Sequence, residues 1–337
     1  MQKITLIEDG MSLPALETIT LNELYENVYK GKQEIISGLL YGGTYLFAGA
    51  PKLGKSFLMA QFAYHISTGI PLWGFDVKQG TVLYLALEDD HRRLQERLYR
   101  MYGENGTDKL RFAVRAKQLE MGLEVQLKAF VHQYPDTKLI IIDTLQKIRE
   151  MGNEKVSYAK DYEVIGKLKE FADLYNICLL LVHHTRKQQS DDKFDMISGT
   201  NGLLGSSDGA FILHKKDRVA DKAELEISGR DQQEQKLYLR KNREKLTWEL
   251  EKIENEPWIE KVNPNIELIS RLVTIERPEW QGTPTELVKA IDVDLKPNTL
   301  STILNVNAGK MVELYGINYE KGRKHTGRYI KLTRTDN

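Results

Sequence analysis

Five continuous apolar runs of strand length mark the first two thirds of this chain, at residues 44–48, 81–87, 139–142, 177–182 and 210–213. None alternates with polar residues, as expected for strands covered on both faces in a parallel sheet. Between them, residues 55–67, 91–102, 125–133 and 162–175 repeat apolar positions at spacings of three and four, which predicts amphipathic helices. Strand and helix alternate, so the pattern predicts a doubly wound α/β domain over residues 41–250. Residues 1–40 read as a mixed leading segment, with a short helix at 21–29 and Thr20 as its N-cap.

Past residue 250 the pattern changes. Residues 251–281 contain Pro257, Pro264 and Pro278 and read as an irregular linker, parts of which pack down through Trp258 and Trp280. Residues 282–337 then predict two short helices, 285–291 and 297–305, the second opened by Pro297 at a first helical position. A hairpin follows, with strands at 317–319 and 328–332 around a basic turn. Helix, helix and β-wing is the order of a winged helix, so a C-terminal winged-helix domain is expected at 282–337.

Composition sharpens this picture without redirecting it. The 337 residues are 41% hydrophobic and 28% charged, enough for a sizeable core in one large and one smaller domain. The formal net charge of zero argues against a strongly basic coat, while leaving room for a local patch. The single cysteine, Cys178, sits inside an apolar run, so no intramolecular disulfide and no zinc cluster are expected. No apolar run approaches the ~18 residues of a membrane span. The early Glu8 and Asp9 do not suit a secretory leader, so the expected location is cytoplasmic.

The chemistry lies at the ends of the apolar runs. Gly49-Ala50-Pro51-Lys52-Leu53-Gly54-Lys55-Ser56 has the spacing G-x-x-x-x-G-K-[ST] between a strand and a helix. Glycines let the backbone approach phosphates, and the following helix N-terminus offers amide donors. Lys55 is expected to reach the β- and γ-phosphates of ATP, and the Ser56 hydroxyl to hold magnesium. The run 139–142 ends in Asp143, a carboxylate suited to orienting that magnesium. Thr144 follows it, so a carboxylate for the attacking water must come from elsewhere. The neighbouring run ends in Glu88-Asp89-Asp90, and Glu88 is the expected general base, with Asp89 second. His183 and His184 end the fourth run and are candidate γ-phosphate sensors, with the choice between them open. The polar, glycine-bearing stretch 188–209 reads as a mobile loop facing a DNA channel.

Together these four motifs, including Tyr84-Leu85-Ala86-Leu87-Glu88-Asp89-Asp90 and Val182-His183-His184-Thr185-Arg186-Lys187, resemble the RecA-like ATPases of the RepA hexameric-helicase group. The resemblance covers about residues 25–250. It implies a RecA-type fold, Mg-ATP hydrolysis between subunits of a homo-oligomeric, hexameric ring, and single-stranded DNA through its centre. In that group Glu88 matches the catalytic glutamate, Asp143 the magnesium-orienting aspartate, and His183/His184 the third helicase motif. Ring enzymes of this kind also take an arginine from the adjacent subunit. Arg230 is the candidate here, with Lys241 and Arg243 behind it. The winged helix departs from the minimal core of the group. Its stretch 321–334 carries six basic and no acidic residues, and Arg323, Lys324 and Arg328 are the expected phosphate contacts on DNA. Three functions remain open on these residues: a replicative DNA helicase of a mobile element, a DNA-binding loader or regulator without unwinding, and a nucleotide-switched assembly protein that does not act on DNA.

Overall fold

The computed structural model describes residues 4–6, 12–14, 16–29, 31–149, 158–185, 194, 197, 201–215, 220–230, 232–254, 263–324 and 327–335. The chain divides into two compact units, residues 32–258 and residues 1–31 with 259–337. The second unit begins with a short antiparallel pair, β1 (Ile4–Leu6) and β2 (Ser12–Pro14), followed by α1 (Leu21–Glu26). Thr20 and Glu23 cap α1 reciprocally, as Thr20 suggested.

In the larger unit, β3 (Glu34–Ile36) and β4 (Leu40–Tyr41) form a small hairpin before β5 (Gly43–Gly49) and α2 (Lys55–Thr68). Then come β6 (Thr81–Ala86), α3 (His91–Tyr102), β7 (Leu110–Ala113), α4 (Leu123–Gln133), β8 (Thr137–Asp143), α5 (Leu145–Ile148) and α6 (Tyr158–Tyr175). The last part holds β9 (Cys178–His184), α7 (Asn201–Ser206), β10 (Gly209–His214), β11 (Lys222–Gly229), β12 (Gln232–Lys241) and β13 (Trp248–Glu254). One nine-stranded sheet joins them in the order β13-β12-β11-β10-β5-β9-β8-β6-β7. From β10 to β7 every pairing is parallel, and β10 to β13 is an antiparallel extension.

Side-chain alternation explains the layers. Tyr45, Phe47, Leu139, Ile141, Leu180 and Val182 face α2 and α3, while Leu46, Ala48, Ile140, Ile142 and Leu181 face α4, α5 and α6. Parallel strands are thus apolar on both faces, and the five runs in the sequence coincide with five of them. The extension is apolar on one face only. Leu225, Ile227, Leu237 and Leu239 join the α2 side, and Glu224, Glu226 and Lys236 form an ionic cluster with His214 on the other. That alternation is why a search for continuous runs missed β11 to β13.

The smaller unit continues with α8 (Pro264–Ser270), β14 (Glu279–Gly282), α9 (Pro284–Ala290), α10 (Pro297–Tyr315), β15 (Ile317–Lys324) and β16 (Gly327–Arg334). Its three strands pair antiparallel in the order β14-β16-β15 around a core of Ile266, Trp280, Leu300, Met311 and Leu332. The linker reading of 251–281 therefore needs correction at both ends, since β13 runs to Glu254 and the stretch also holds α8 and β14. Pro264 starts α8 at N1 rather than breaking it, and Trp280 is buried on β14. Among the described residues, no helix is long and apolar enough to cross a membrane.

Asp208 ties the amino edge of the large sheet. Its carboxylate, 3% exposed, accepts from Lys32 at 2.7 Å, Lys169 at 2.5 Å and the Thr44 amide at 2.8 Å. These donors hold it ionised, and its pKa lies below the usual carboxylate value despite burial. Asp208→Ala would remove the acceptor shared by two ammonium groups and one amide, so it is expected to lower unfolding free energy by about 2–3 kcal/mol in urea titrations.

Candidate nucleotide site

The carboxyl edge of the parallel strands gathers the candidate residues. In the ladder Gly49 lies opposite His184, and Ala86 lies opposite Asp143. The loop between β5 and α2, the start of α3 and the end of β8 therefore open onto one cleft of about 550 Å³. Lys55, Ser56, Glu88, Asp143 and His184 all line it. Gly54 precedes α2 at φ 100° with no side chain to cap it, so the first-turn amides of α2 are left as donors suited to an anion.

Lys55 is buried at the head of α2. Its ammonium donates to the carbonyl oxygens of Gly49 (2.7 Å) and Ala50 (3.1 Å) and lies 3.1 Å from His184 Nδ1. Burial pushes its pKa down to about 8, against the pull of the Asp143 and Glu88 carboxylates. An ammonium can only donate, so Nδ1 of His184 accepts and the neutral imidazole carries its proton on Nε2. The pKa of His184 is lowered in the same sense, by burial first and then by the Lys55 charge. The pair of histidines is thereby separated. His184 lines the cleft, whereas His183 is buried within β9 beside Ala48.

Asp143 is 7% exposed, and burial raises its pKa against the hydrogen bonds it accepts from Ser56 and Tyr84. Tyr84 donates to its Oδ2 at 2.8 Å. Tyr84 sits in an apolar run, where bulk alone would account for it, but a phenol buried mid-strand needs a partner for its hydroxyl. Ser56 and Asp143 together present hard oxygen donors of the kind magnesium takes, so the residues present fit that ion.

The two acids after β6 are also distinguished. Asp89 is engaged by Arg93 at 3.2 Å and Arg97 at 2.7 Å. Glu88 is open to the cleft, with Thr144 Oγ1 donating to its Oε1 at 3.3 Å. Two guanidinium groups occupy the Asp89 carboxylate while Glu88 is exposed in the cleft, so the geometry favours Glu88 as a base.

Arg230 is not brought to this edge. It follows β11 where Gly229 pairs with Gly209, at the amino end of β10, and its guanidinium donates to the Gly205 carbonyl. Of the two runners-up, Lys241 lines the cleft 4.6 Å from the Phe57 ring centre, and Arg243 forms an ion pair with Asp221 at 2.8 Å. Half of the stretch 188–209 lies outside the described residues, as do Arg186 and Lys187, while 201–206 form α7 and Gly209 opens β10.

In the smaller unit Arg323 and Arg328 are directly opposed on β15 and β16. With Asn298, Ser301 and Thr302 of α10 they line a second cleft of about 510 Å³. Lys324 ends β15, and its side chain lies outside the described residues.

Comparison with known proteins agrees with this geometry. The profile of the AAA_25 family, described as an AAA domain, matches residues 17–190, just over half of the chain. The DNA repair protein RadA of Streptococcus pneumoniae is 24% identical over 180 residues, which are 53% of this chain and 38% of RadA. The chain thus matches well under two thirds of that relative's length. Among solved structures, an isolated ATPase domain superposes with a TM-score of 0.52 at 14% identity, covering 63% of this chain and 85% of that one. A DnaB-like replicative helicase, solved with its interactions with primase, gives 0.49 at 15% identity, covering 62% of this chain and 58% of that one. The fold is that of the RecA-like ATPases.

Tyr84→Phe removes the phenol that orients Asp143. We expect it to weaken magnesium-dependent nucleotide turnover about tenfold while leaving metal-free nucleotide binding within about twofold. Steady-state kinetics titrated with magnesium measures the first, and equilibrium binding in chelator the second.

Proposed function

The chain belongs to the AAA_25 family of AAA domains, and from that premise we propose that it is an ATP-hydrolysing, ring-forming motor acting on DNA, a replicative helicase of the RepA type. The observation that carries the ATPase reading is the convergence of Lys55, Glu88, Asp143 and His184 on one cleft at the carboxyl edge. The loop amides and Lys55 would bind the triphosphate, and Ser56 and Asp143 would hold magnesium, which offsets phosphate charge when bound. Glu88 takes the proton of the attacking water as its oxygen bonds to the γ-phosphorus, and the bond to the β-phosphate oxygen breaks to release ADP. His184, already bonded to Lys55, exchanges that contact when the lysine turns to phosphate, and so reports occupancy to β9 and the chain beyond it.

The DNA reading has two supports. One is the likeness to RadA, a DNA repair protein, over 180 residues of this chain. The other is the smaller unit, which has the element order of a winged helix: helix, strand, helix, helix and a two-stranded wing. Arg323, Lys324 and Arg328 at the wing tip supply phosphate contacts. A hexameric ring with a trans-acting basic residue from Arg230, Lys241 or Arg243 completes the motor reading. The second reading, a loader or regulator on DNA without unwinding, draws on the RadA likeness and keeps the same core and tail.

Lys55→Ala is expected to abolish hydrolysis and weaken nucleotide binding. Glu88→Gln is expected to retain ATP yet lose at least about 100-fold in turnover, and unchanged turnover in a single-turnover assay would remove Glu88 from the base role. Sedimentation with Mg-ATP and a single-stranded oligonucleotide tests the ring, and a chain that stays monomeric and shows no DNA-stimulated turnover would sink the motor reading. A forked-duplex assay separates helicase from loader.

Reversing the charges of Arg323, Lys324 and Arg328 together should weaken duplex binding by more than about tenfold at roughly 0.1 M salt and flatten its salt dependence, while basal ATP hydrolysis stays within about twofold. Fluorescence anisotropy across a salt series measures the binding, and a phosphate-release assay the hydrolysis. Unchanged affinity would favour a nucleotide switch that does not act on DNA.

A further inference from the structure

Gly54 closes the phosphate loop and opens α2 without a side-chain cap. It is the N-cap of α2, it has φ 100°, and it cannot fix the helix start through a side chain as Ser, Thr or Asp would. Something else must hold it, and the structure supplies an indole from 194 residues away. The Trp248 ring lies so close that a Cβ added to Gly54 would stand 3.1 Å from its Cζ2, and its Nε1 is 3.4 Å from the Gly54 carbonyl oxygen.

Trp248 is itself locked. It is 1% exposed at the start of β13, and Gln61 of α2 grips its backbone twice, accepting from the amide at 2.8 Å and donating to the carbonyl at 2.9 Å. Trp73 Nε1 donates to the same carbonyl at 2.7 Å. The turn before β13 is held in parallel, because Arg100 of α3 donates to the carbonyls of Arg243 and Glu244. The antiparallel extension is therefore clamped to the helix that the phosphate loop begins, and the indole carries that clamp onto Gly54.

We propose that Trp248 is a positioning residue for nucleotide binding: its indole fixes the backbone at Gly54 and so sets the first-turn amides of α2 before a triphosphate arrives. The gain is preorganisation, since a glycine at positive φ would otherwise have to be ordered when the phosphates bind. The role rests on the ATP-binding reading above and goes beyond it, because nothing in the phosphate-loop motif calls for a residue so late in the chain.

Trp248→Phe keeps the Gln61 clamp, which uses only backbone, and removes Nε1 and the outer ring that covers Gly54. By calorimetric titration of Mg-ATP, its Kd should rise about three- to tenfold. A Kd within about twofold of wild type, whatever the change in Tm, would overturn the proposal, since a purely structural tryptophan lowers stability without touching affinity. A second measurement does not depend on that variant folding. With Trp73, Trp258 and Trp280 replaced by Phe, Trp248 is the sole tryptophan emitter, and saturating Mg-ATP should shift or quench its fluorescence; an unchanged spectrum at proven saturation would also overturn the proposal. Wild-type chain that shows no saturable Mg-ATP binding would instead bring down the ATP-binding reading on which the proposal stands.

Discussion

An ammonium buried at the end of β5, bonded to neutral groups, is the constraint around which the larger unit is arranged. Lys55 donates to two backbone carbonyls and an imidazole, and burial drives its pKa down. Carbonyl dipoles and a neutral histidine satisfy its protons but do not cancel its charge. The carboxylates of Asp143 and Glu88 stabilise it through space. An incoming triphosphate would supply negative charge at close range, in a cleft already lined with donors. The cost of burying the lysine is thus recovered when an anion binds.

That arrangement depends on strand register. Gly49, Asp143 and His184 come from β5, β8 and β9, and they meet because the parallel ladder sets Gly49 opposite His184 and Asp143 opposite Val182, two residues below. A shift of one residue in β8 would turn Asp143 toward the opposite layer and exchange the faces of Ile140 and Ile141. The two cores on either side of the sheet therefore protect the chemistry: slipping the register would bury the wrong side chains in both. At the other edge Asp208 sets where β5 begins by accepting from the Thr44 amide, which adds a polar stop to the apolar one.

Sequence reading recovered what repeated simple patterns. The five both-face-buried strands, helices such as α3 and α6, and the cluster Lys55, Ser56, Glu88, Asp143 and His184 were legible because parallel strands are uniformly apolar and their ends bear the polar exceptions. The antiparallel extension was not, because its strands alternate and resemble exposed polar chain. Tyr84 and Trp248 were hidden for another reason. Both are large residues in or beside buried strands, where bulk alone justifies them, and only geometry reveals that the hydroxyl serves Asp143 and the indole serves Gly54. Arg230 follows β11, which runs antiparallel to β10 and so finishes at the amino edge of the parallel strands, away from this chain's own cleft. Lys241, which ends β12 running the other way, reaches the cleft.

The zero net charge acquires a different meaning once the two units are separated. In the larger unit many acids and bases are matched locally, as in the Asp208 tie, the Asp89 pair with Arg93 and Arg97, and the cluster of Glu224, Glu226 and Lys236. In the smaller unit the hairpin β15–β16 gathers Lys321, Arg323, Lys324, Arg328, Lys331 and Arg334 against its own Glu320 and Glu279 of β14, which pairs with Lys331 at 3.2 Å. Potential near a surface is set by charges within about a Debye length, roughly 8–10 Å in ordinary salt, not by the sum over a chain. A polyanion approaching the hairpin therefore meets a basic surface even though the molecule is neutral. Neutrality of the whole argues against nonspecific coating of nucleic acid, and it is compatible with one confined point of contact on the hairpin.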